Sequence, residues 1–181
     1  MKIGLFATSN KNKLREFEQI LGTKLEQAEL QLNEIQAIDV ENIIEEKAKE
    51  AYRLVGKPVL VEDTGLYIAA WNSFPGALIK WLLSTTGRDG VIRMLAMEKN
   101  RRASAKTAIG FYDGSKVHVF VGKVNGSIPD AIRGESGFGW DPIFVPNGYR
   151  KTFAELGAKA KNRISMRSIA LRKLKAYLKS H

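Results

Sequence analysis

The stretch KIGLFATSNKNKLREFEQILG, residues 2–22, sets the architecture of the chain. Its opening residues KIGLFAT are β-rich and apolar, and they read as a buried first strand over residues 2–8. SNKNK follows, dense in helix-capping residues. Leu14, Phe17 and Leu21 then recur at helical spacing until Gly22 stops the helix. A strand that runs straight into a helix leaves backbone N–H groups and the positive end of the helix dipole at the turn. Thr8, Ser9, Asn10 and Asn12 add short polar groups there, and Lys11 and Lys13 add charge. This is phosphate-cradling chemistry without a Walker glycine pattern. Ordinary capping by Ser9, Asn10 or Asn12, with solvated lysines, accounts for the same residues.

Outward from this unit, KLEQAELQL (24–32) alternates as a second strand. Ile44, Ala48, Ala51 and Val55 form one face of an amphipathic helix that Gly56 and Pro58 end. PVLVED (58–63) is a third, short and buried strand that LYIAAW (66–71) can extend, and NSFPG (72–76) is a turn. Two short helices follow over 77–84 and 89–97. ASAKTAIGFYD and KVHVFVGKVNG, joined at DGS, form a β-hairpin. GESGFGWDP is a glycine-rich loop leading into a strand IFVP, and Ser165 caps a last helix with Ile169, Leu174, Tyr177 and Leu178 on its apolar face. The order βαβαβ, then hairpin, then closing helix predicts an α/β fold with a mixed sheet, in one domain spanning 1–181.

Composition narrows the chemistry. Hydrophobic residues make up 44% of the chain, enough for a core, and there is no cysteine, which removes disulfides, thiolate metal sites and cysteine nucleophiles. The two histidines are His118 and the terminal His181, so neither a Ser-His-Asp triad nor a His-rich metal site is expected. A metal here would sit on Asp or Glu oxygens, which suits Mg²⁺ or Mn²⁺. No apolar run approaches the roughly 20 residues of a membrane span, and the N-terminal apolar run is too short for a signal peptide. A soluble, cytoplasmic protein is expected. The net charge is +10, and ten of the 29 Lys and Arg residues fall within 150–181 against one acid, Glu155. Such charge favours nucleotides, nucleic acid or anionic lipid without choosing among them.

Three further segments carry candidate chemistry. In VLVEDTG, two adjacent acids end an apolar strand, where open α/β sheets gather their ligands. Neighbouring strand residues face opposite sides, so Glu62 and Asp63 need not share a role. Asp63 can hold Mg²⁺ or orient a water, or simply start a turn before Thr64 and Gly65. In SGFGWDPIF, Gly137 and Gly139 let backbone approach a flat ligand, with Phe138 and Trp140 as ring walls and Asp141 beside them; a tight turn packed by two aromatics is the plainer alternative. In KNRISMR, Lys161 and Arg167 flank Ser165 near a helix start, where cations oppose the dipole. An anion or an electron-rich base would relieve that misfit, although a solvated basic surface needs no partner.

Taken together and in order, TSNKNKLREF, VLVEDTGL, FPG, GFGWDPIFVP, KTFAEL and KNRISMR closely resemble the inosine/xanthosine triphosphate pyrophosphatases over nearly the whole chain. The resemblance implies an elongated mixed sheet with flanking helices and two lobes around a central cleft. It also implies a homodimer, a need for Mg²⁺ or Mn²⁺, and hydrolysis of ITP, dITP and XTP to monophosphate and pyrophosphate. By motif, Thr8, Ser9, Asn10, Lys11, Asn12 and Lys13 would hold the triphosphate. Asp63 would be base or metal ligand with Thr64 beside the substrate, and Glu34 in LNEIQ would help hold the metal. Phe138, Gly139, Trp140 and Asp141 would line the nucleoside pocket, completed by Lys161, Met166 and Arg167. Trp140 stands where many relatives carry tyrosine. Met166 stands where the family usually has histidine in a Ser-His-Arg run, and methionine cannot donate a hydrogen bond. Base binding is therefore expected to be weaker or less selective here. A Maf-like nucleotide pyrophosphatase is the nearest rival, though GFGWDPIF and KNRIS argue against it. A member that binds nucleotides without turnover and a basic nucleic-acid-binding module are further alternatives. The latter has the charge, but its charge sits on one closing helix and no RRM, KH or zinc pattern is present.

Overall fold

The computed structural model describes residues 4–33 and 35–180. Strand β1 (Leu5–Ala7) passes into α1 (Lys11–Leu21), β2 (Glu26–Ala28), α2 (Val40–Val55) and β3 (Val59–Ile68). After a 3₁₀ turn over Ala69–Trp71 come β4 (Pro75–Gly76), α3 (Ile79–Met94), β5 (Arg102–Tyr112) and β6 (Val117–Ser127). A second 3₁₀ turn, Asp141–Ile143, leads to β7 (Val145–Pro146), α4 (Phe153–Ile164) and α5 (Met166–Ser180). The sheet order is β2-β1-β3-β5-β6-β7, with β4 paired to β3. β1 is parallel to both β2 and β3, as strands joined through crossover helices must be, and the remaining pairings are antiparallel. This is the α/β mixed sheet with flanking helices that the sequence predicts.

Strand alternation decides which side chain meets which helix. Leu5, Ala7, Val59 and Val61 pack with Val40, Ile44, Ala48 and Ala51 of α2. Phe6 and Leu60 point the other way, to Phe17 of α1 and to Ala170, Leu171 and Leu174 of α5. Phe6 and Phe17 stack with ring centroids 4.1 Å apart. A third cluster joins the far half of β3 (Leu66, Ile68) to α3 (Ile79, Val91) and to Trp140, Phe144, Phe153 and Met166.

Several expected elements come out differently. β3 runs unbroken from Val59 to Ile68, so Asp63 sits inside a strand and starts no turn. Gly65 allows this, because a Cβ there would lie 2.8 Å from the β4 backbone carbon of Gly76. The second strand is only Glu26–Ala28: its partner β1 stops at Ala7, and the Thr8 N–H to Ala28 carbonyl bond closes the ladder. IFVP contributes only Val145–Pro146 as strand, since Asp141–Ile143 is taken up by the 3₁₀ turn. The two short helices are one segment, Ile79–Met94, interrupted at Gly87 with φ 66°. Helix α4 was not anticipated, although T-F-A-E at 152–155 is a capping box: Glu155 N–H donates to Thr152 Oγ1 and Thr152 N–H to Glu155 Oε2. Ser165 caps α5 as expected, accepting from the Ser168 N–H at 3.2 Å.

Candidate active site

A cleft of about 1070 Å³ opens along the sheet. At one end is the β1–α1 turn. Asn10 is the cap: its Oδ1 accepts from the N–H groups of Asn12 (2.9 Å) and Lys13 (3.1 Å), while its own N–H donates to Thr8 Oγ1. Thr8, Ser9, Asn10, Lys11 and Lys13 line the cleft. Asn12 does not; its side-chain oxygen accepts from Arg15 on the helix surface. Capping and phosphate-cradling are therefore not alternatives here, because the cap organises the turn that faces the cleft.

The paired acids of β3 separate by strand parity. Glu62 follows Leu60 toward α1 and α5, and is buried. Its Oε1 accepts from Arg167 Nη2 at 3.0 Å and from Thr64 Oγ1, and the Lys13 ammonium stands 2.8 Å from its Oε2. Burial pushes the Glu62 pKa up, but Arg167 and Lys13 outweigh it and hold the carboxyl at about 2. Asp63 is half-buried and lines the cleft, accepting its neighbour Thr64 N–H at 3.0 Å. Burial raises its pKa above the usual aspartate range, and Lys13 and Lys47 only partly offset this. One acid is thus a fixed structural anion, and the other is a carboxylate of raised basicity facing the ligand space.

At the opposite end the cleft wall is an ion network. Lys161 is 2% exposed and donates to Glu16 Oε1 (2.8 Å) and Asp141 Oδ2 (2.7 Å). Arg167 is 1% exposed and divides its two Nη groups between Glu16 and Glu62. The chain Asp141–Lys161–Glu16–Arg167–Glu62–Lys13 therefore alternates sign from one end of the cleft to the other. Burial raises Glu16, yet Arg167 and Lys161 prevail and its carboxyl lies below the ordinary range; for Asp141 burial prevails over Lys161 and raises it. Asp141 Oδ2 also accepts the Phe138 N–H at 2.9 Å, closing the glycine loop, and Lys161 lies 4.5 Å from the Phe138 ring centroid. Phe138, Gly139 and Trp140 line the cleft, with Trp140 seated edge-on against Phe144 at 5.5 Å. The Arg167 Nε–H is buried and has no acceptor among the described residues.

The misfit expected of KNRISMR is resolved internally. Lys161 lies in the last turn of α4, where a cation suits the dipole, and Arg167 at the start of α5 is neutralised by Glu16 and Glu62. Met166 lines the cleft but is 1% exposed, packed in the cluster of Trp140, Phe144 and Phe153. The basic residues beyond Arg167 stay outside the cleft lining; Lys173 and Lys175 donate to the carbonyls of Val121 and Leu21. Sequence reasoning missed two residues. Glu16, between Arg15 and Phe17 on α1, carries no local mark of burial. Lys47 of α2 lines the cleft and acts on Asp63, and its only signal was its place on the helix turn beside Ile43 and Ile44.

Glu34, expected to help hold a metal, lies outside the described residues. Among those described, no three Asp, Glu or His side chains converge as a ready metal cage. The donor set nonetheless fits Mg²⁺, which retains waters and is held by one or two carboxylates together with substrate phosphates: Asp63 is a carboxylate in the cleft that forms no close ion pair among the described residues.

A model of the Ham1 family matches residues 4–177. The chain is 40% identical to the dITP/XTP pyrophosphatase of Thermococcus kodakarensis over 97% of each chain. It is 39% identical to the inosine triphosphate pyrophosphatase of Schizosaccharomyces pombe, over 97% of this chain and 95% of that one. Among solved structures, it matches a HAM1 protein from Coxiella burnetii with a TM-score of 0.86 and 30% identity over the whole of both chains. With that full-length agreement of sequence and fold, the chain belongs to the Ham1 family.

Proposed function

We propose that this chain hydrolyses non-standard purine nucleoside triphosphates, ITP, dITP and XTP, to the monophosphate and pyrophosphate. The observation that carries the reading is one cleft that brings together a cationic helix N-terminus with Lys11 and Lys13, the Asp63 carboxylate, and the Phe138–Trp140 glycine loop. A C6 carbonyl satisfies an N–H donor, whereas the amino group of adenine leaves it unpaired, and such mismatches discriminate strongly. The activities named for the Thermococcus and Schizosaccharomyces relatives support the same substrates.

The residues then divide the work. The positive end of the α1 dipole, with Lys11 and Lys13, holds the triphosphate and stabilises the negative charge that collects on the leaving pyrophosphate. Asp63, with its raised basicity, accepts the proton of the water that attacks near the α-phosphorus. Phe138 and Trp140 wall the base, and Asp141 and Lys161 keep the glycine loop in place. Bound Mg²⁺, or Mn²⁺, held by Asp63 and with Glu34 as a second ligand, would neutralise phosphate charge. The family resemblance supports a homodimer working on the cytoplasmic nucleotide pool, without nucleic acid or membrane.

Pyrophosphate release from ITP, XTP, dITP, GTP and ATP, with and without Mg²⁺, tests this. Release from the first three, dependent on the ion, is expected. Equal turnover of ATP would overturn the base reading, and undiminished turnover in chelator would overturn the metal. Sedimentation of the purified protein decides the dimer.

A further inference from the structure

Helix α3 breaks at Gly87, and the residue after the break reaches the glycine loop that lines the cleft. Arg88 donates its Nε–H to the carbonyl of Gly139 at 2.6 Å, a contact between residues 51 apart in sequence. The positive φ of 66° at Gly87 is one that a side chain adopts only with strain. Gly139 also has positive φ, at 59°. The two partners belong to different walls. The α3 segment before the break gives Ile79, Lys80, Trp81 and Leu83 to the cleft, and Gly139 sits between Phe138 and Trp140. Below the bridge is a smaller opening bounded by Leu83, Arg88, Ile132 and Gly139.

The glycine loop is held from within by Asp141, whose Oδ2 takes the Phe138 N–H, and the Asp141 N–H returns to the Phe138 carbonyl at 3.2 Å. That clamp fixes the loop's shape. Among the described hydrogen bonds of Gly139, the one from Arg88 ties the loop to the facing wall. We propose that Arg88 is a positioning residue: it straps the glycine loop to α3 and so fixes the width of the nucleoside end of the cleft. The kinetic consequence rests on the pyrophosphatase reading; the strap itself does not. A guanidinium donating to a carbonyl is a charge-assisted bond, but this one is exposed, so its loss weakens nucleotide binding by roughly three- to tenfold rather than abolishing it.

Arg88→Met keeps the stem and removes the donor, and Arg88→Lys keeps a donor without the fork. Amide exchange of residues 137–140 is read on the protein without nucleotide, alongside kcat, KM and Tm. Arg88→Met is expected to speed exchange in that loop and to raise KM for ITP roughly three- to tenfold with kcat within about twofold and Tm unmoved, with partial recovery in Arg88→Lys. Unchanged exchange overturns the strap whatever the activity. Faster exchange with unchanged KM overturns its role at the substrate, as does a fall in kcat alone. If the unmodified protein hydrolyses no triphosphate, the pyrophosphatase reading fails separately, and the exchange result still decides the strap.

Discussion

Lys11 at the phosphate end of the cleft is exposed to water, whereas Lys161 and Arg167 at the nucleoside end are sealed among Glu16, Asp141 and Glu62. Cations of the first kind await charge that arrives with a ligand. Those of the second kind are neutralised beforehand by the protein, and what they contribute is shape. Desolvating an ion pair costs about as much as its attraction returns, so such a network is a weak source of net stability. Removing one member is another matter, since it strands a partner.

That contrast can be broken from either end. The largest effect is expected from Asp63→Asn, which should lower kcat by about 10²–10⁴-fold. Its Tm should hold or rise, because the ionised carboxylate is unfavourably buried; near-normal turnover in a folded variant would remove Asp63 from the chemistry. Next comes Arg167→Met, which leaves Glu16 and Glu62 without their guanidinium and should cost about 3–5 kcal/mol, a fall in Tm of about 10 °C by calorimetry. Lys11→Met should do the reverse, raising KM for the triphosphate with Tm unmoved. If both variants lose stability alike, the two ends are not different in kind.

Acidification should separate the ends in time. The folded pKa of Glu62, about 2, lies below its ordinary value of 4.5. Its contribution is therefore complete above pH 4.5 and is lost as pH falls toward 2. Asp63 is shifted the opposite way, above 3.8. Turnover should consequently fail at a higher pH than circular dichroism reports unfolding, and coincident midpoints would count against the assignment. The smallest effect is expected from Met166→His. It should shift the kcat/KM ratios of ITP and XTP over GTP and ATP by about tenfold or less, and unchanged ratios would show that this position does not read the base.

Much of the fold was legible because its signals are local. β1, the Asn10 cap and α1 occupy one continuous stretch, and strand parity alone separates Glu62 from Asp63. The nucleoside end was harder. KNRISMR displays its cations openly, but the acids that answer Arg167 stand 151 and 105 residues away, at Glu16 and Glu62. No spacing within the segment can announce them, so neither reading that the segment itself offers, an outside anion or a solvated surface, includes this internal neutralisation. Glu16 has the look of any helix-surface acid until α5 closes over it. Arg88 is hidden for a similar reason, since its partner is a backbone carbonyl and leaves no trace in residue identity.

The continuity of β3 has a consequence for how this protein can vary. The two acids are told apart only by odd and even position along one strand, so their assignment behaves like a reading frame. Substitutions along Val59–Ile68 alter packing one residue at a time. A single inserted residue ahead of Glu62 would instead turn the aspartate toward Arg167 and the glutamate toward α2, exchanging anchor and base in one step. Length in this strand should therefore be less tolerant of change than composition.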